Sequence, residues 1–162
     1  MEEMNADVFK SYTHWAYTGN VVVKEDDDNV DLESKGDDIK KNLVRLYVAA
    51  DLLGDQRLRN AVIDRFIQVQ DEDSGYPGCA IINAAYGRTS ETSTLRKLFV
   101  DYWLNFAHND WFKENGKGFT KDFLFELVHG RMLNNNAKTA MPSTKNKCKY
   151  HEHNEDVPKC TS

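Results

Sequence analysis

Cysteine and histidine side chains are concentrated near the C-terminus of this 162-residue sequence. The segment has the spacing Cys-x-x-His-x-His-x6-Cys, formed by Cys148, His151, His153 and Cys160. Two thiolates and two imidazoles suit zinc, which accepts mixed sulfur and nitrogen ligands in a tetrahedral shell. A flexible segment would gain order from the metal, because metal binding offsets the loss of chain entropy. These residues are therefore the candidate metal ligands, and zinc is the candidate cofactor.

Two other interpretations of this segment stay open. The spacing matches none of the common zinc-finger patterns, so a solvated tail without metal is the ordinary alternative. Under oxidising conditions, Cys148 and Cys160 could instead form a disulfide.

Patterns typical of catalysis are missing from the sequence. It has no glycine-rich phosphate loop, no Gly-x-Ser-x-Gly and no His-Glu-x-x-His. Cys79 stands beside Ala80 and Ile81 at the start of a predicted helix, where a small buried core residue is the usual finding. We therefore expect that the protein is not an enzyme. Chemistry at Cys79 or at a pair of histidines is the remote alternative.

The amino-acid composition limits which classes of binding partner and which cell compartment we expect. The chain has 21 basic and 26 acidic side chains, a formal net charge of -5, which disfavours nucleic-acid binding because that affinity depends on Lys and Arg. No apolar run approaches the roughly 20 residues that span a bilayer. Three cysteines are too few for a disulfide scaffold. We expect an intracellular protein, in the nucleus or the cytoplasm, that binds other proteins.

The first elements that could position these residues lie between residues 6 and 53. Apolar spacing predicts a helix over 6–18 that ends at Gly19, and a short strand at Val21–Val23. Residues 25–38 hold eight carboxylates against one lysine, which predicts a solvated acidic loop. A clear amphipathic helix follows over 39–53, with its inward face formed by Leu43, Leu46, Tyr47, Ala50 and Leu53.

The helix over 39–53 is predicted to pair with the next one. Gly54 suits the left-handed conformation that ends a helix, and Asp55 suits the cap of a second helix over 56–69. Because the connection is so short, the two helices must pack as a hairpin. The inward face of the second helix is predicted to be Leu58, Ala61, Val62, Phe66 and Val69.

Three further helices are predicted over about 78–87, 94–107 and 121–133, and the second has a strongly aromatic face. Beyond residue 134 the chain is polar and rich in lysine, which indicates a poorly ordered tail. The predicted organisation is one domain over 1–70, a helical extension over 71–134 and a flexible tail over 135–162.

Two stretches together resemble a known family. The first runs from Phe9 to Gly19 and closes on Trp-x-Tyr-Thr-Gly; the second runs from Leu46 to Asp64 and contains the Leu-Leu-Gly-Asp turn. In this order they resemble the C-terminal half of a BTB/POZ domain of the fungal type, and the Cys-x-Tyr-His-x-His ending is similar to tails in that group. The resemblance implies a mainly α fold: a helix, a short strand and a helical hairpin, followed by a helical extension. The N-terminal half of the family's domain is expected to be missing.

This resemblance implies a non-catalytic protein-protein interaction module. Members of the family self-associate, and some act as adaptors for cullin-type ubiquitin-ligase scaffolds. Without the family's N-terminal half, an apolar patch on helix 6–18 should stay exposed and bind protein, through Phe9, Tyr12 and Trp15. The alternative is a zinc-stabilised binding module that uses the Cys/His tail.

Overall fold

The computed structural model describes residues 5–24, 32–72, 76–106, 112–113, 116–133 and 140–160. Within these ranges the fold is mainly helical, as predicted. The α-helices are α1 (Ala6–Thr18), α2 (Leu32–Leu52), α3 (Gln56–Glu72), α4 (Cys79–Tyr86), α5 (Thr94–Phe106) and α6 (Lys121–Leu133). They belong to two compact units, one of Met1–Gly75 with Ser143–Ser162 and one of Tyr76–Pro142.

Helix α1 has the predicted ends. The Asn5 side chain accepts a hydrogen bond from Val8 N–H at 2.9 Å, which satisfies a free amide of the first turn. Gly19 ends the helix with φ 70°, in the left-handed conformation that glycine adopts without strain. Val8 and Ser11 are buried, and α1 packs against α2.

The predicted α2/α3 hairpin is confirmed, together with its turn. Gly54 has φ 68°, and its N–H donates to Asp51 O at 3.1 Å. The N–H of Asp55 donates to Ala50 O at 2.9 Å, so the turn satisfies two carbonyls at the helix end. Asp55 Oδ1 then caps α3 by accepting from Leu58 N–H at 2.9 Å.

The facing sides of α2 and α3 form the apolar core of the first unit. The fully or almost fully buried members include Leu43, Leu46, Tyr47, Ala50, Leu58, Val62, Ile63, Phe66 and Val69. Leu53, which was predicted to face inward, is 49% exposed because it lies beyond the end of α2.

Two local predictions in this unit are wrong. Helix α2 starts at Leu32, inside the predicted acidic loop, of which residues 25–31 lie outside the described ranges. Carboxylates favour the N-terminal turns of a helix, so a run of them need not indicate a loop. Val21–Val23 do not form a strand, and none of the described residues does. A strand needs a partner for its backbone hydrogen bonds, and high β-propensity alone does not supply one.

The second unit is organised around the predicted aromatic face of α5. The buried residues of that face are Leu95, Leu98, Phe99, Tyr102 and Trp103. The Trp103 ring packs edge-on against Phe119 at 4.7 Å between centroids and against Phe123 at 6.0 Å. Thr120 caps α6, because its Oγ1 accepts from Phe123 N–H at 3.4 Å.

A buried polar cluster lies in the same unit. The Arg96 guanidinium donates to Thr89 Oγ1 at 3.1 Å and to the Tyr86 carbonyl at 2.8 Å, and it lies 3.6 Å from a Glu126 carboxylate oxygen. The Tyr86 hydroxyl donates to the other Glu126 oxygen at 2.5 Å. Burial, followed by this hydrogen bond, raises the pKa of Tyr86 far above its usual value. The cluster satisfies carbonyls that follow the end of α4.

The C-terminal segment differs from the predicted flexible tail over 135–162. Residues from Ser143 onwards belong to the first unit, and the second unit, Tyr76–Pro142, takes the place of the predicted extension over 71–134. The segment forms a 3₁₀ turn at Lys147–Tyr150, and the Tyr150 side chain is completely buried. Burial of this ring removes a large apolar area from water, which a solvated tail would not do.

None of the helices in the described ranges combines the length and the apolar character needed to cross a membrane.

Candidate metal centre

The C-terminal segment is held on α3 by charged and polar contacts. The Arg59 guanidinium donates two hydrogen bonds to the Glu152 carboxylate in a bidentate arrangement, with Nε–Oε1 at 3.0 Å and Nη2–Oε2 at 2.5 Å. This hydrogen bond raises the pKa of Arg59. Asn60, also on α3, binds the backbone of Glu152. Because Glu152 stands between His151 and His153, these contacts fix the backbone that carries both imidazoles.

Three of the four predicted ligands form a compact group. One ligand atom from each of Cys148, His153 and Cys160 lies within 4.8 Å of the others. Among these, His153 Nε2 lies 3.3 Å from Cys148 Sγ. His151 lies at the edge of this group, with its Nδ1 at 3.1 Å from Cys160 Sγ. The structure therefore groups three of the predicted ligands, and it places the fourth, His151, beside Cys160.

The hydrogen bond made by the second nitrogen of His153 fixes its tautomer. Nδ1 lies 3.0 Å from the Pro158 carbonyl oxygen. A carbonyl oxygen only accepts hydrogen bonds, so Nδ1 carries the proton. Nε2 lies on the side of Cys148 and carries the lone pair when the ring is neutral, which is the arrangement of a metal-binding histidine whose other nitrogen donates to the backbone.

His151 is oriented in the same way by a carboxylate. Its Nε2 lies 2.8 Å from Asp64 Oδ1, and its side chain is only 7% exposed. Burial favours protonation of Asp64, but hydrogen bonds from His151 and Lys147 outweigh it and lower the pKa of this carboxyl group. Asp64 is therefore an acceptor and His151 Nε2 carries a proton; in the neutral ring the lone pair is on Nδ1, which lies beside Cys160.

The two thiols of the cluster have unequal acidity. A hydrogen bond with Cys160 lowers the pKa of Cys148, and the same contact raises the pKa of Cys160. The thiolate is the form that binds metals. By contrast, burial raises the pKa of Cys79, which lies in the second unit and has no part in this cluster.

The donor set and its dimensions fit zinc. A tetrahedral shell with the usual zinc–sulfur and zinc–nitrogen bond lengths separates neighbouring ligand atoms by about 3.3–3.8 Å. The two sulfur–nitrogen distances, 3.3 Å for Cys148–His153 and 3.1 Å for Cys160–His151, are close to this range. His151 is the one of the four that lies outside the group of ligand atoms within 4.8 Å of one another, so a four-ligand shell requires its side chain to move closer to the other three.

Sequence reasoning missed the residues of α3 that support the cluster. Arg59, Asn60 and Asp64 were assigned no role, and their partners in the C-terminal segment lie 83 to 93 positions further along the chain. Their only local signal is that they belong to the polar positions of an amphipathic helix, together with side chains such as Arg57 and Gln68. That signal indicates a polar surface but identifies no partner.

The other predicted site lies on α1. Phe9 is 55% exposed, whereas Tyr12 and Trp15 are half-buried. The patch is therefore smaller than predicted, with Phe9 as its main exposed apolar side chain and Val8 turned towards the core.

Comparison with family models, with curated proteins and with solved structures finds no match to this chain.

Proposed function

We propose that this chain is a non-catalytic protein-interaction module whose C-terminal segment, docked on α3, is organised by a zinc ion. The proposed ligands are Cys148, His151, His153 and Cys160. The observation that carries the proposal is that an imidazole nitrogen lies beside each of the two cysteine sulfurs, at 3.3 Å for His153 and Cys148 and at 3.1 Å for His151 and Cys160. Neutral imidazoles and thiolates in this arrangement are the species that zinc binds.

The composition of the site supports a structural role for the metal. Four protein ligands close a tetrahedral shell, whereas catalytic zinc sites keep one position open for water or substrate. The imidazoles are further held by Asp64 and by the Pro158 carbonyl, and such outer contacts fix the orientation of the ligands. The site therefore stabilises a surface formed by α3 and the C-terminal segment.

Zinc analysis of the full chain tests this proposal. Protein purified without chelators should contain one equivalent of zinc per chain, measured by plasma mass spectrometry. Cys148→Ser and Cys160→Ser should each lose most of it, because serine does not supply a thiolate. Cys79→Ser is the matched control and should keep its zinc. The proposal is wrong if the parent chain binds no zinc, or if Cys79→Ser loses as much as the other two variants.

A BTB/POZ-type interaction module is our proposal for the first unit. It is supported by the packing of α1 on the α2/α3 hairpin and by the exposure of Phe9. The partner would be a second copy of the chain or, in an adaptor, a cullin-type scaffold. Contiguous apolar patches on a surface typically mark contact sites, and Phe9 would form such a patch with Tyr12 and Trp15, which follow it at intervals of three residues on α1.

Sedimentation velocity of the full chain tests self-association. The parent should sediment as a dimer or larger species at micromolar concentration, and Phe9→Ser should shift it towards the monomer. Tyr17→Ser is the control, because Tyr17 is 91% exposed on the same helix but lies outside the proposed patch. A parent chain that stays monomeric and gives no heat in calorimetric titration with a purified cullin scaffold would exclude both partners.

A further inference from the structure

Asp64 on α3 is bound by the C-terminal segment through both of its carboxylate oxygens. Oδ1 lies 2.8 Å from His151 Nε2, and Oδ2 lies 2.6 Å from Lys147 Nζ. The His151 side chain is 7% exposed and the Asp64 side chain 33% exposed, so water has limited access to the first contact. The two partners stand on either side of Cys148 in the sequence.

This contact determines which atom of His151 can reach a metal. Asp64 accepts from Nε2–H, so in the neutral ring the lone pair is on Nδ1, which lies 3.1 Å from Cys160 Sγ. A carboxylate that accepts from the second nitrogen also makes the imidazole a more basic ligand. Without the carboxylate, the ring could rotate or change its tautomer, and Nδ1 would no longer be held towards the cluster.

We propose that Asp64 is a positioning residue of the zinc site, and that it couples metal binding to the docking of the C-terminal segment on α3. This inference rests on the proposed zinc site. The coupling works in both directions, because binding free energies are reciprocal. Zinc holds His151 in the orientation that binds Asp64, and the docked segment holds His151 in the orientation that binds zinc.

The zinc affinity of the full chain, measured by competition with a chromophoric chelator, tests the proposal. Asp64→Asn should weaken zinc binding by about 10- to 100-fold, the usual cost of losing an outer-shell carboxylate. Asp71→Asn is the matched control, since Asp71 is an exposed aspartate on the same helix, and it should bind zinc as the parent does. Thermal unfolding of each variant checks that the hairpin is folded.

The visible absorption spectrum of the cobalt-substituted chain distinguishes a positioning role of Asp64 from a general loss of stability. In the parent, cobalt should give the intense visible bands of a tetrahedral sulfur–nitrogen site. In Asp64→Asn these bands should shift and weaken as His151 leaves the shell. Lys147→Met, which removes the other partner of Asp64 but keeps the contact between Asp64 and His151, should change them less.

The outcomes distinguish the two proposals. If the parent binds zinc but Asp64→Asn has the same affinity and the same cobalt spectrum as Asp71→Asn, the role of Asp64 is wrong and the zinc site stands. If Lys147→Met changes the spectrum as much as Asp64→Asn does, the effect comes from docking in general and the positioning role is also wrong. If the parent binds no zinc, both proposals fail.

Discussion

The Asn60 carboxamide forms a reciprocal pair of hydrogen bonds with the backbone of Glu152. Asn60 Nδ2 donates to Glu152 O, and Glu152 N–H donates to Asn60 Oδ1, both at 2.9 Å. A side chain on α3 thus satisfies the donor and the acceptor of a residue 92 positions away. Since Asn60 is 8% exposed, neither partner has free access to water, and a loss on either side leaves polar groups unpaired.

Replacing Asn60 should therefore destabilise the first unit. We expect Asn60→Ala to lower the free energy of unfolding by about 1–3 kcal/mol, because two half-buried backbone groups lose their partner. Asn60→Asp should also destabilise, because a carboxylate cannot donate to Glu152 O. Urea denaturation measures the change. Gln68→Ala, an exposed change on the same helix, should have little effect, and an equal loss in that control would contradict this account.

Tyr150 anchors the same segment by burial. Its side chain is 0% exposed. Tyr150→Ala should cost about 3 kcal/mol of unfolding free energy, the usual penalty for emptying a large aromatic site in a core. Tyr150→Phe keeps the ring and should cost much less. Limited proteolysis should cut the Ala variant near residues 143–160 much faster than the parent, and equal cleavage rates would contradict the proposed anchoring.

Sequence alone predicted the elements whose signals are local. The α2/α3 hairpin was predictable because the apolar spacing, Gly54 and Asp55 all act within one or two helical turns. The proximity of Cys148, His153 and Cys160 was also predictable, because these residues stand close together in the sequence and are of the types that commonly bind zinc.

Contacts between distant residues were not predictable. The docking of Glu152 on Arg59 and Asn60 depends on residues more than ninety positions apart, and no periodic pattern connects them. For the same reason the segment was interpreted as a flexible tail, since its polar composition gives no sign of a partner surface. The predicted strand at Val21–Val23 is wrong for a different reason. These residues have high β-propensity, but none of the described residues forms a neighbouring strand that could pair with them.

Zinc should stabilise the first unit to unfolding. A ligand that binds only the folded state at a concentration of a thousand times its Kd adds about 4 kcal/mol. We therefore expect zinc to raise the urea midpoint of the parent chain and a chelator to lower it again. Cys148→Ser should not respond to either addition. If zinc stabilises this variant as much as the parent, the metal acts at some other place in the chain.

The stability of the second unit should depend on Arg96, and this dependence should be the same with and without zinc. The Arg96 side chain is only 6% exposed, and it binds the Tyr86 carbonyl and lies beside the Glu126 carboxylate. Arg96→Leu keeps much of the packing volume but leaves a carboxylate and carbonyls without their cation. Removing one partner of a buried ion pair costs about 3–5 kcal/mol, so this variant should unfold at lower urea with or without zinc. Arg88→Leu, at an exposed arginine, is the control and should behave as the parent does. A zinc-dependent loss in Arg96→Leu would contradict the assignment of this cluster to the second unit alone.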